Sequence, residues 1–95
     1  MLYLVHTQVH IPAGLDAALV ERLKTDETAL SRKLQEEGKC RHLWRATGQF
    51  ANYSVFDVSS HDELHTLLMS LPLRPFMTCV QITPLSQHPS AIAQN

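Results

Sequence analysis

Residues 2–11, LYLVHTQVHI, put Tyr3, Val5, Thr7, Val9 and Ile11 on one side of an extended chain and Leu2, Leu4, His6, Gln8 and His10 on the other. That two-residue period is the mark of a β-strand. The period then changes. From Leu15 to Glu37 the leucines recur as Leu15, Leu19, Leu23, Leu30 and Leu34, steps of four, four, seven and four, which form one stripe along a long helix. PAG at 12–14 separates the two segments. Asp16 favours the first turn of the helix by its charge, and Gly38 is placed to cap its end.

The switch from strand to helix happens a second time. Residues 39–47 and 51–58 read as strands joined around Gly48 and Gln49, a hairpin. Ser60 with Glu63 three residues on is a capping-box signature. Leu64, Leu67, Leu68 and Leu71 then build a shorter helical stripe, which Pro72 stops. After the loop PLRPF, the segment MTCVQIT reads as a last strand. The order strand, helix, strand, strand, helix, strand predicts an α+β chain of ferredoxin-like βαββαβ topology, with a four-stranded antiparallel sheet.

A chain of 95 residues makes one domain, residues 1–95, since a single core usually takes about 100 to 150. Two helices cover only one face of the sheet. The other face, with His6, Gln8, His10 and either Cys40, His42 and Trp44 or Arg41, Leu43 and Arg45, is left needing a partner. A homo-oligomer built on a dimeric α/β-barrel, with a cavity between two sheets, is the expected solution. The tail 84–95, PLSQHPSAIAQN, lacks periodicity and is expected to pack on a neighbouring subunit.

The formal charge of −1 argues against nucleic acid as the main partner, which calls for a basic excess. The sequence has no apolar run of the roughly 18 residues a membrane span needs, so no membrane association is expected. Cys40 and Cys79 are too far apart for a CxxC motif. With no secretion signal they read as free thiols in the cytoplasm.

Two places carry chemistry. Between Leu23 and Leu30 the leucine stripe is filled by polar residues, with Asp26 near its centre and Glu27 on its edge. A carboxyl held there is desolvated and its proton affinity raised, as a general acid/base requires. Asp26 is the alternative interior acid, and the plainer alternative for Glu27 is a surface acid paired with Lys24. The second place is RHLWR, 41–45. Strict alternation sends Arg41 and Arg45 one way and His42 and Trp44 the other. An arginine fork suits a carboxylate ligand, while a solvated strand face with a packed tryptophan is the plainer account. Tyr53 supplies a hydroxyl, or simply packs at a sheet interface. His6 with His10, and His61 with His65, have spacings that invite a metal. The first pair lacks a third ligand, and HDELH lacks the HExxH order, so no metal site is expected.

The run GKCRHLWRATGQFANYSVFDVSSHDELHTLLMSLPLRPFM, followed by TPLSQHPS, closely resembles the muconolactone isomerase family. The similarity extends from Met1 to about Ile92 and is most specific in RHLWR, FDV, DELH and SLPL. Chloromuconolactone dehalogenase is similar at this level. The resemblance implies a ferredoxin-like protomer assembled through dimers into a decamer. It implies conversion of (S)-muconolactone to 3-oxoadipate enol-lactone in bacterial catechol breakdown, with neither metal nor organic cofactor. Glu27 matches the family's glutamate and is the expected proton carrier. In that chemistry His42 donates to the dienolate or trades protons, Arg45 ahead of Arg41 holds the substrate carboxylate, Trp44 walls the pocket, and Tyr53 adds a donor. Position 40 is often tryptophan in the family, whereas here it is Cys40.

Overall fold

The structure is a computed structural model that describes residues 1–92. Four strands, β1 (Leu2–Val9), β2 (Cys40–Arg45), β3 (Ala51–Asp57) and β4 (Met77–Leu85), form one sheet in the order β2-β3-β1-β4. Every pairing is antiparallel. Helices α1 (Ala17–Glu36) and α2 (His61–Met69) complete the ferredoxin-like order, with a 3₁₀ turn at Arg74–Phe76 before β4. The last three residues of the tail lie outside the described residues.

Strand β1 holds the centre because its odd-numbered side can be fully covered. Tyr3 and Val5 are 2% and 1% exposed, and Thr7 is buried beside them. Opposite them on the same side stand Phe56, Ser54 and Asn52 of β3. Leu34 of α1, Leu64 and Leu68 of α2, Cys40, Phe56 and Val58 complete the core, with Leu30, Leu67 and Leu71 packed against it. Each buried aliphatic or aromatic side chain contributes about 1.5–3 kcal/mol. The leucine stripe of α1 is used unevenly: Leu34 is buried, whereas Leu15, Leu19 and Leu23 remain partly exposed.

Local signals set the element ends. Asp16 is the N-cap itself, its carboxylate accepting from the Leu19 N–H at 3.2 Å. At the other end Gly38, at φ +78°, carries a Schellman closure. Its N–H reaches the Gln35 carbonyl at 3.1 Å, and the Lys39 N–H reaches the Leu34 carbonyl at 2.9 Å. Ser60 caps α2 through the Glu63 N–H, and Glu63 returns a bond to the Ser59 N–H at 2.9 Å. In the hairpin Gln49 donates to the Ala46 carbonyl at 3.1 Å with Gly48 at φ +77°, the third position of a type II turn.

The last strand runs two residues beyond the expected MTCVQIT, through Pro84 and Leu85. Among the described residues its sheet neighbour is β1 alone, and an edge strand tolerates a proline that cannot donate. The described tail residues beyond it are all exposed. The radius of gyration, 14.6 Å, exceeds the roughly 12 Å of a compact chain of this length.

Candidate active site

The opposed pairs of β2 and β3 run Cys40 with Phe56, then His42 with Val55, Leu43 with Ser54 and Arg45 with Asn52. Arg41 is therefore an extra residue, a β-bulge. Directly opposed residues share a face, so Cys40, Leu43 and Arg45 lie on the helix side with Phe56, Ser54 and Asn52. His42 and Trp44 lie on the open side with Val55 and Tyr53. Strict alternation put Arg41 and Arg45 together; the bulge separates them. Arg41 instead reaches the Asp57 carboxylate at 3.4 Å in an exposed pair beside the N-terminus.

A cleft of about 860 Å³ opens between α1 and the helix side of the sheet. Glu27, Ser31 and Arg32 line it from the helix, Arg45 and Asn52 from the sheet, and Leu73 from the loop after α2. This cleft lies on the helix side of the sheet. It occupies the gap that α1 leaves over the ends of β2 and β3, on the opposite side of the sheet from the open face where a cavity between two sheets is expected.

Glu27 is half-buried and its Oε1 accepts a hydrogen bond from the Leu73 backbone N–H at 3.0 Å. Burial raises its carboxyl above the usual glutamate range, and the Leu73 bond only partly offsets this. Among the described residues it forms no ion pair with Lys24, although Lys24 lines the same cleft. Asp26, the alternative interior acid, is exposed: a hundred-degree turn of the helix carries it off the sheet side.

Charge in the cleft is asymmetric. Lys24, Arg32 and Arg45 line it with Glu27 as the acid, a balance that attracts an anion. The Arg45 guanidinium lies 5.8 Å from the Phe50 ring centre, within cation–π reach, and the hairpin turn fixes that pairing. Trp44, 53% exposed, sits at the strand end and reaches the cleft rim.

The structure therefore brings together Glu27, Arg45 and Trp44, and leaves out Asp26, Arg41, His42 and Tyr53. His42 stacks on Trp44 at 5.0 Å with planes 5° apart, turned to the open side. Tyr53 stacks on His6 at 4.3 Å on that same side. His6 is further engaged with the Asn52 carbonyl at 3.1 Å, and His61 bonds the Tyr3 hydroxyl. Ser31, Arg32 and Asn52 also line the cleft and are not among the sequence candidates. Helical spacing from Glu27 points to Ser31, four residues on, while Asn52 is found only through the register opposite Arg45.

The chain matches the family model for muconolactone delta-isomerase over residues 1–91. It is 52% identical over 92 residues to the muconolactone delta-isomerase of Cupriavidus pinatubonensis, covering 97% of this chain and 99% of the relative. It is 48% identical to that of Pseudomonas putida, covering 97% and 95%. A crystal structure of muconolactone isomerase superposes with a TM-score of 0.93 at 47% identity, over 100% of this chain and 98% of that one. At 16% identity and a TM-score of 0.60, over 93% and 96%, the 5-chloro-2-hydroxyhydroquinone dehydrochlorinase of Burkholderia phenoliruptrix shares the fold. By family model, sequence and structure, this chain belongs to the muconolactone delta-isomerase family.

Proposed function

We propose that the chain is an isomerase that converts (S)-muconolactone to 3-oxoadipate enol-lactone in catechol breakdown. The family membership supports the reaction, and the half-buried Glu27 facing a cation-lined cleft is the observation that carries the mechanism. The shift moves one C=C bond with no net oxidation, so one proton carrier suffices and no redox cofactor is needed.

Glu27, ionised, takes the proton from the ring carbon that bears the carboxymethyl group. The electron pair moves through the ring alkene onto the lactone carbonyl oxygen, giving a dienolate. The protonated Glu27 then returns the proton to the ring carbon two positions away. A carboxyl with raised proton affinity suits both halves of this exchange. Arg45 forks onto the substrate carboxylate, and Trp44 closes the rim. Asn52 and Ser31, which line the cleft, are the donors placed for the oxygen where charge grows. His42, Arg41 and Tyr53, on the open side, take no direct part within one protomer.

The assembly we propose is a homo-oligomer of dimers, closing to a decamer, in which copies meet through the open sheet face and the tail 84–95 packs on a neighbour. Trp44, Tyr53 and Leu85 are exposed on that face, and apolar residues so exposed together mark contact surfaces. A cytoplasmic location fits the free Cys40 and Cys79. Among the described residues no helix is long and apolar enough to cross a membrane.

The direct test is incubation of purified protein with (S)-muconolactone, following the product by absorbance and NMR. Formation of the enol-lactone supports the assignment; tight binding of the lactone without turnover contradicts it.

A further inference from the structure

Behind the cleft lies a second, smaller cavity of about 70 Å³. The two share Glu27, Ser31, Leu43, Asn52 and Leu73 as a common wall, yet their chemistry differs. The outer cleft carries the cations. The inner one reaches into the core and is closed by Cys40, Phe56, Leu68, Leu71 and Met77, and Glu27 at its mouth is the one charged side chain among the described residues that line it. Cys40 and Phe56, an opposed pair across β2 and β3, form part of its floor, and both are 5% exposed. The Cys40 thiol is spent on the His42 carbonyl at 3.4 Å, and burial pushes its ionisation up. It therefore presents a small, neutral, apolar surface. Ser54, the polar neighbour on the same floor, turns its hydroxyl to the Val5 carbonyl at 3.4 Å.

We infer that this inner cavity is a substituent pocket that admits a methyl-sized apolar group on the alkene edge of the lactone ring, with Cys40 setting its depth. The inference rests on the isomerase reading, because it takes the ring to sit against Glu27. A proton carrier at the boundary of the two cavities places the reacting ring edge there. With the substrate carboxylate drawn outward to Arg45, the opposite edge of the ring faces the inner space. Filling an apolar pocket with a methyl group is worth about 10-fold or more in kcat/KM. A larger residue at position 40 would fill the cavity, whereas a smaller one would deepen it. Substrate range is thus decided on the core side of the sheet, away from the charged groups that hold the lactone.

The experiment compares kcat/KM for unsubstituted muconolactone with that for muconolactones methylated or ethylated on either alkene carbon, in the wild type, Cys40→Leu and Cys40→Ala. The wild type is expected to turn over at least one methylated lactone within 10-fold of the parent. The methylated-to-parent ratio should fall about 10-fold or more in Cys40→Leu, and the ethyl-to-methyl ratio should rise in Cys40→Ala. Thermal melting verifies folding; should Cys40→Leu fail to fold, the Cys40→Ala ratio decides alone. Rejection of both methylated lactones by more than 10-fold, or ratios that do not move with residue 40, overturns the pocket while leaving the isomerase reading intact. Absence of turnover even for the parent lactone overturns the isomerase reading itself, and the pocket with it.

Discussion

The Glu27 carboxylate and the Leu73 backbone N–H meet at 3.0 Å, although 46 residues separate them in the chain. One hydrogen bond thus ties the middle of α1 to the loop between α2 and β4 and aims a half-buried acid across the cleft. A fixed orientation shortens the search for the reacting geometry, and partial desolvation keeps the carboxyl ready to hold a proton as well as release it.

That environment links stability to pH. The folded-state affinity of Glu27 for its proton is raised, so the folded chain binds that proton more tightly than the unfolded chain does. The resulting contribution is fully present below the unfolded value and is lost as pH rises through the folded value. Glu27→Gln mimics the protonated form and keeps an oxygen for the Leu73 N–H. Its melting temperature should match the wild type at acid pH and exceed it at neutral and higher pH. Calorimetry across pH checks this, and an equal difference at every pH would contradict it.

The two arginines of RHLWR should separate kinetically. Arg45→Ala removes the cleft cation beside Phe50 and should raise KM for the lactone about 10-fold or more with a smaller change in kcat. Arg41→Ala breaks only an exposed pair with Asp57, of a kind worth about 0–1 kcal/mol. It should leave both constants within about twofold. Steady-state kinetics on the two variants decides between them.

Gly48 should matter through conformation alone. It sits at φ +77° with open space where a Cβ would stand, so Gly48→Ala meets no clash but must hold a left-handed backbone, costing about 1 kcal/mol. A fall of several degrees in melting temperature is expected. Because the turn fixes Arg45 over Phe50, a rise in KM should accompany it.

The open sheet face should govern assembly. Tyr53→Lys places a charge among Trp44 and Leu85 on that face and should shift the protein to smaller species in sedimentation velocity, with its circular dichroism kept. Unchanged association would move the proposed interface elsewhere.

Much of this was written in the order of periods. The alternation of β1 and the leucine stripes of α1 and α2 identify elements because each needs one face covered, and Ser60 with Glu63 marks a helix start through local bonds alone. The site was legible only in part. Glu27 stands out as a break in a stripe, but Asp26 beside it breaks the stripe equally, and only the packing of α1 tells them apart. The bulge at Arg41 leaves no period to read, since a single extra residue in a short strand looks like ordinary alternation until its partner strand is aligned. Hence alternation alone sets Arg41 and Arg45 on one side, and it gives no sign of the cleft on the helix side. Leu73 could not be found at all, because it contributes a backbone N–H that no side-chain pattern records.

In the proposed mechanism the Glu27 carboxyl itself carries the proton across the lactone ring, which the kcat of Glu27→Gln on (S)-muconolactone beside that of the wild type tests directly. A loss of about 10²- to 10⁴-fold, with KM and melting behaviour showing a folded, substrate-binding protein, is the predicted result. A folded Glu27→Gln protein that isomerises the lactone within about threefold of the wild-type rate would contradict it.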